Sequence, residues 1–539
     1  MSVPIIDLFA GPGGLGEGFS RVRSVQFEIA VSIEKDEMAH ETLRLRAAHR
    51  ALQRCDKATA ETWRKWDAII ESEPWNIVFY QLRESGDPAI TQACIAADRE
   101  ALNFELGPEA RQLASSMIRD RLAVYSRNGG LPRNAVLIGG PPCQAYSIVG
   151  RSRNRGTKGY AAEADHRHFL YREYLGVISE FEPAVFVMEN VKGILTSRVL
   201  DRHIFETIMQ DLKRPSVSGL SGSGVEYVLF ALSATEGVLV DPRPEDFIVK
   251  AEEYGVPQAR HRVIILGVRK DVFEIAKCVG TLVRSRPPTM WDVICDLPPL
   301  RPRLSYRGKG QTWLDAFHSS FFDKAVKELK GSGREVESAV AEKLMAVRDK
   351  FRQRLLDPGF GGDRTRLNAA SKDRLPKRLA DWYRDRPLDL LTNHESRAHM
   401  PTDLVRYLFA AAFGEVTKAS PRLMDFPKCL LPAHKNVDPD NIGDSIFKDR
   451  FRVQLADHHS MTVTSHIAKD GHAFIHPKPN QCRSLTVREA ARLQTFPDSY
   501  VFLGNRTSQY TQVGNAVPPL LAQQIAEVVG DLLKRAKLA

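Results

Sequence analysis

The feature that most constrains the fold stands almost at the start of the chain. Val3 to Phe9 reads as a buried strand, and it runs directly into Ala10-Gly11-Pro12-Gly13-Gly14-Leu15-Gly16 before a helical pattern begins. Gly11, Gly13 and Gly16 match G-x-G-x-x-G in the strand-to-helix setting where glycines let a cofactor approach the backbone. Ile29 to Ile33 reads as a second strand ending in Glu34, a carboxylate placed to accept hydrogen bonds from ribose hydroxyls. This opening predicts an open α/β sheet with its ligands at the carboxyl ends of the strands. It points to a nucleoside-containing cofactor, and a nicotinamide cofactor fits it as well as S-adenosylmethionine does.

A second stretch bears on the same edge. Ala135 to Ile138 reads as a short buried strand, stopped by Gly139-Gly140-Pro141-Pro142 and followed by Cys143. Proline before the cysteine stiffens the turn that carries the thiol. A cysteine taken alone is usually a small buried hydrophobe, so it is this setting that makes Cys143 a candidate nucleophile. Beyond it, Gly150 to Gly159 is a basic, glycine-bearing loop suited to closing over phosphates. Asp165 to Phe181 has helical periodicity, and the strand Ala184 to Met188 delivers Glu189-Asn190 to the same edge. Later, Gln258, Arg260 and Arg262 alternate along one face of an extended segment leading into the apolar run Val263 to Val268. A thiol, a carboxylic acid and paired arginines beside a nucleoside cofactor suit addition to an electron-poor ring. Glu189, if protonated, would donate to a ring nitrogen, and Arg262 would bind a carbonyl oxygen.

At 539 residues the chain exceeds one compact core. No apolar run is long enough for a bilayer and no secretory leader precedes the first strand, so a cytoplasmic, non-membrane protein is expected. Seven cysteines without Cys-x-x-Cys spacing argue against a disulfide framework and against a structural zinc site, so no metal is expected. The net charge of +10 is uneven: residues 301–400 hold 22 Lys and Arg against 14 Asp and Glu, which suits a polyanion or a merely solvated face. Residues 41–134 read as a helical insertion without identifiable chemistry. The region 287–455 changes character and reads as a separate domain, before core-like sequence resumes. There Thr486 can cap a helix with Glu489 three residues on, and Gln512-Val513-Gly514-Asn515 precedes a last amphipathic helix.

Taken together, Asp7 to Gly14, Gly140 to Gln144, Glu189-Asn190-Val191, Gln258 to Arg262, Arg483 to Pro497 and Gln512 to Asn515 resemble, in order, the motifs of bacterial DNA (cytosine-5) methyltransferases. The resemblance implies an S-adenosylmethionine-dependent, Rossmann-like fold with a mixed, mainly parallel sheet and an inserted target-recognition domain. The catalytic domain would take residues 1–286 and be completed by 456–539, with target recognition in 287–455. Cys143 would attack C6 of a cytosine turned out of duplex DNA, and Glu189 would engage N3. Asn190 would buttress the Cys143 loop, and Arg262, with Arg260 beside it, would hold O2. Phe9, Ala10, Gly11, Gly13, Gly14, Glu34 and Asn515 would hold the cofactor, leaving S-adenosylhomocysteine as product. Two departures concern the adenine: Lys35 replaces a common aromatic or apolar residue, and no acidic residue is identified after a third strand. The resemblance further implies a bacterial, nucleoid-associated monomer in a restriction-modification system, with a cognate endonuclease. A transfer-RNA methyltransferase, a DNA binder without catalysis and a nicotinamide oxidoreductase are the alternatives.

Overall fold

The structure, a computed structural model, describes residues 2–126, 130–142, 170–199, 202–215, 224–233, 242–305, 312–352, 358–367, 374–386, 389–432, 451–469 and 471–539. Met1–Arg286 and Ala516–Ala539 form one compact unit, and Pro287–Asn515 forms a second.

The first unit is built on an eight-stranded sheet. Its strands are β1 (Val3–Leu8), β2 (Phe27–Glu34), β3 (Ala101–Asn103), β4 (Val136–Gly139), β5 (Val185–Val191), β6 (Tyr227–Ala231), β7 (Ile248–Lys250) and β8 (His261–Arg269). The order is β3-β2-β1-β4-β5-β8-β6, with β7 also on β8. Strands β1 to β5 pair parallel, whereas β8 pairs antiparallel with β5, β6 and β7. Both faces are covered, which is why β1 and β4 read as continuous apolar runs rather than alternations. On one face the last helix, Pro519–Arg535, sets Leu521, Ile525, Val529 and Leu533 against Val3, Ile5, Phe19 and Phe27. On the other, the helices Leu170–Phe181 and Ile204–Lys213 bury Tyr174, Ile178, Phe205 and Ile208 with Ile6, Leu8 and Leu137.

The 41–134 stretch is mostly helical, with one difference from expectation. Ala101–Asn103 is a strand that extends the sheet beyond β2, pairing Asn103 with Glu34. Three residues are too few to display a period, so this element had no signature in the sequence.

The second unit keeps residues 456–515 with 287–455, so the division expected at 455/456 is not where the packing divides. The cause is a set of arginines on the helix Val487–Leu493 and just before it. Arg492 is fully buried and reaches Asp296, Asp498 and Val293 O. Arg488 donates to Thr392 O and Oγ1 at 2.9 Å each and to Tyr500 O at 2.6 Å. Arg483 pairs with Glu489, which also closes the capping box on Thr486. These bonds tie the segment to residues 293–296 and 392, inside the region that was expected to stand apart. The helices Ser320–Gly331, Glu335–Arg352 and Pro401–Thr417 form the unit's apolar core.

The return of the last helix onto the first strand requires glycine at two points. A Cβ on Gly14 would lie 2.2 Å from Val517 O, and one on Gly18 would lie 2.4 Å from Ala522 Cβ. Gly18→Ala is expected to destabilise the first unit by about 1–3 kcal/mol and to expose the last helix to limited proteolysis. Gly107→Ala, where a Cβ meets nothing within 4 Å, should leave the urea midpoint unchanged. Equal midpoints for both variants would refute the close approach.

Candidate active site

Register brings the predicted residues to one edge. Leu8 pairs with Ile33 and Gly139, and Gly139 pairs with Met188, so β1, β2 and β4 end at nearly one level and β5 runs on past it through Glu189 to Val191. Because β8 runs the other way, its first residues meet the same edge, with Arg262 opposite Val191 and Ile264 opposite Glu189.

On the cofactor side, Phe9, Gly11 and Gly13 all have positive φ, at 56°, 56° and 95°. Glycine takes such values freely, but a phenylalanine there is strained, and strain of this kind gathers where a backbone must meet a ligand. Glu34 ties the loop to β2: its Oε2 accepts from Gly11 N at 2.8 Å and its Oε1 from Asp36 N at 2.8 Å. Ala10 N donates to Ile33 O at 3.1 Å, and Gly14 opens the helix Gly14–Ser20. The loop is therefore held in place, with open space where a Cβ on Gly11 would stand. Asn515 ends the helix Arg506–Asn515, one residue before the chain returns to the first unit.

On the catalytic side, Arg262 Nε lies 2.9 Å from Glu189 Oε1, and both side chains are largely buried. Asn190 Nδ2 donates to Pro141 O at 3.3 Å, and its Oδ1 accepts from Val191 N. Gly140 faces Glu189, since a Cβ there would meet Oε2 at 2.8 Å. Arg260 is 1% exposed, and burial, reinforced by Arg262, pushes its pKa well below the usual arginine value. Cys143 and the basic loop 150–159 lie outside the described residues. Pro141 and Pro142, which lead to Cys143, stand one strand from Glu189.

A family model described as C-5 cytosine-specific DNA methylase matches residues 118–215 and 396–531. The chain is 32% identical to the type II methyltransferase M.Bpa9945I of Bacillus paralicheniformis over 551 residues, covering 98% of this chain and 99% of that protein. The chain belongs to the C-5 cytosine-specific DNA methylases. It is also 29% identical to the type II methyltransferase M.AgeI of Thalassovita gelatinovora, over 73% of this chain and 82% of that one. With the DNA (cytosine-5-)-methyltransferase M.ApeKI of Aeropyrum pernix it shares 27% identity over 74% and 81%.

Two features of this methylase escaped the sequence. Asn103 ends β3 beside Glu34, and its Nδ2 donates to Glu34 O at 3.2 Å and Lys35 O at 3.3 Å. Lys35 itself pairs with Glu105 at 2.9 Å. Beneath the glycine loop lies a buried charge cluster, contributed by elements whose contact no spacing discloses. Glu17 takes a bidentate pair from Arg46, at 2.9 and 2.6 Å, and a third bond from Arg21. Arg50, one helical turn beyond Arg46, pairs with Glu100. Asp7, buried at the end of β1, makes no hydrogen bond through either oxygen among the described residues, and burial pushes its pKa well above the carboxylate range.

Burial alone would raise the Glu17 pKa, but Arg46, Arg21 and Arg50 override it and hold the carboxyl far below the ordinary value of 4.5. A depressed acid contributes stability that is present above its unfolded pKa and lost as pH falls. Glu17→Gln should cost about 3–5 kcal/mol at pH 7. The gap to the unsubstituted protein should narrow by about 1.4 kcal/mol per pH unit below that ordinary value, read from urea midpoints between pH 3 and 7. A gap that stays constant over that range would contradict the assignment.

Proposed function

We propose that this chain methylates C5 of a cytosine within a specific duplex DNA sequence, with S-adenosylmethionine as donor. The observation that carries the reading is the contact of Glu189 with Arg262 at the sheet edge, one strand from the Pro141-Pro142 turn that leads to Cys143.

Phe9, Ala10, Gly11, Gly13, Gly14 and Glu34, with Asn515, would hold the cofactor, and the positive-φ loop fits that role. Asn103 supplies what the third strand was expected to lack. Its amide nitrogen is engaged by backbone carbonyls, which leaves Oδ1 to accept from the adenine amino group. Bound S-adenosylmethionine supplies an electrophilic methyl group.

A cytosine turned out of the duplex would exchange the Glu189–Arg262 contact for contacts of its own, Glu189 at N3 and Arg262 at O2, with Arg260 behind. The Cys143 thiolate forms a bond from Sγ to C6, and protonation or hydrogen bonding at N3 draws the displaced electrons into the ring. C5 then becomes an enamine carbon that would take the methyl, with S-adenosylhomocysteine as the leaving group. Loss of the C5 proton and departure of the thiolate from C6 restore the aromatic ring. Asn190 holds the turn that carries the thiol. Base extrusion costs a few kcal/mol, which these contacts must offset. Residues 287–455 are proposed as the target-recognition region. The type II names of the relatives support a place in restriction-modification beside an endonuclease that reads the same site, for a monomeric, cytoplasmic bacterial enzyme.

Bisulfite sequencing of plasmid DNA from cells expressing the chain should show protected cytosines within one recurring short sequence, with mass spectrometry excluding N4 methylation. Cys143→Ala should abolish protection and leave calorimetric cofactor affinity nearly unchanged. Protection absent from DNA but present in transfer RNA would transfer the reading to an RNA substrate. Asn103→Ala should weaken S-adenosylmethionine binding roughly tenfold, the effect of about one lost hydrogen bond; an unaltered isotherm would remove Asn103 from the adenine site.

A further inference from the structure

The charge excess of the second unit has a focus. Between residues 364 and 386 the sequence carries eight Lys and Arg against three Asp. Three of those cations, Arg374, Lys377 and Arg378, are exposed, and among the described residues none of the three makes an ion pair. Several cations elsewhere in this unit pair, as Arg303 with Glu395, Lys343 with Glu415 and Arg348 with Asp323, while Lys324, Lys327 and Lys330 on the helix Ser320–Gly331 are exposed as well. Asp381 is the one acidic residue on the short helix Lys377–Tyr383.

The segment beneath these cations is fixed. Leu379 and Tyr383 are buried. Tyr383 Oη donates to Arg492 O at 2.7 Å, Trp382 Nε1 to Thr495 O at 2.9 Å, and Asp498 N to Tyr383 O at 2.8 Å. Arg384 Nη2 lies 2.7 Å from Asp296 Oδ2, and Arg374 O accepts from Cys295 Sγ at 3.4 Å. A surface meant only to be solvated needs no such anchoring. Long cationic side chains on a fixed base, with no ion pair among the described residues and Asp381 as the one carboxylate on their helix, repel one another until a polyanion is brought up to them.

We propose that Arg374, Lys377 and Arg378 form a clamp for the phosphate backbone of the DNA substrate, setting the register of the duplex and reading no base. The clamp rests on the reading of this chain as a DNA methyltransferase. Phosphate contacts position the protein, whereas base-edge contacts select the sequence. Each contact releases condensed counterions, so the clamp carries a salt signature as well as an affinity.

The test uses the full chain with Arg374→Gln, Lys377→Gln and Arg378→Gln, singly and together, and with Lys377→Arg as a charge-retaining control. Fluorescence anisotropy would follow binding to a duplex carrying the methylated site and to a scrambled duplex, over a range of salt. The triple variant should lose affinity for both duplexes by the same factor, and its log–log salt slope should fall by roughly three, about 0.9 for each phosphate contact. The methylated sequence should not change, and S-adenosylmethionine binding should hold. An unchanged slope would overturn the clamp while leaving the methyltransferase reading intact; a changed target sequence would show base reading instead. Failure of the unsubstituted chain to bind or methylate any duplex would remove both. If the triple variant does not fold, the single variants carry the same test, each with a slope lower by about one.

Discussion

The candidate site depends on the direction of one strand. β8 enters the sheet antiparallel to β5, so its first residues lie at the edge where β1, β2, β4 and β5 end. Were β8 parallel, Arg260 and Arg262 would open at the opposite edge, a strand length from Glu189. At about 3.3 Å per residue, the seven registered pairs from Arg262–Val191 to Val268–Val185 correspond to roughly 20 Å. No side chain spans that distance. The topology therefore performs what motif order alone cannot, bringing residues from positions 9, 34, 140, 189 and 262 to one edge.

The helix that follows the glycine loop at this edge is held by charge as well as by the apolar packing of Leu15 and Phe19. Glu17, Arg46, Arg50 and Glu100 are drawn from three helices and almost closed to solvent. A buried pair of this kind contributes little net stability compared with apolar residues of equal volume, yet loss of one partner is severe. Its effect is to allow few alternative arrangements of the helix Gly14–Ser20 under the loop. Asp7 and Ser32 are register partners with buried oxygens lacking hydrogen-bond partners among the described residues. An ionised carboxylate in such a place is costly, which agrees with the upward shift of the Asp7 pKa.

The sequence exposed those parts of the fold that have either a period or a local rule. The apolar runs that begin at Val3 and Ala135 are the strands Val3–Leu8 and Val136–Gly139, the glycine spacing is the loop, and Thr486 with Glu489 is a cap. What stayed hidden was non-local. β3 is three residues long, and Asn103 acquires meaning only through its pairing with Glu34. Glu17 and Arg46 are 29 positions apart and meet only after two elements pack. The core-like sequence of residues 456–515 suggests that they rejoin the first unit. Their arginines instead find acceptors at 293, 296, 392 and 498. No rule of composition distinguishes a solvated arginine from one that, like Arg488 and Arg492, bonds several buried acceptors.

Those same arginines explain how a unit with short strands and many turns can be rigid where rigidity matters. The helix Val487–Leu493 has only seven residues, too short to hold a surface by its own propensity. Arg488 fixes the strand Leu390–Glu395 through Thr392, while the Arg492 carbonyl and the Thr495 carbonyl fix Tyr383 and Trp382. Planar guanidinium groups with five donors each can bind several acceptors at fixed angles, which a lysine at the same position cannot. Burial alone would lower the pKa of Arg492, but Asp498 and Asp296 reverse the effect and raise it above the usual value, so the cation is retained. A strand and a basic helical segment are thus referred to one short helix, and any force on either is carried by hydrogen bonds rather than by a pliable apolar contact.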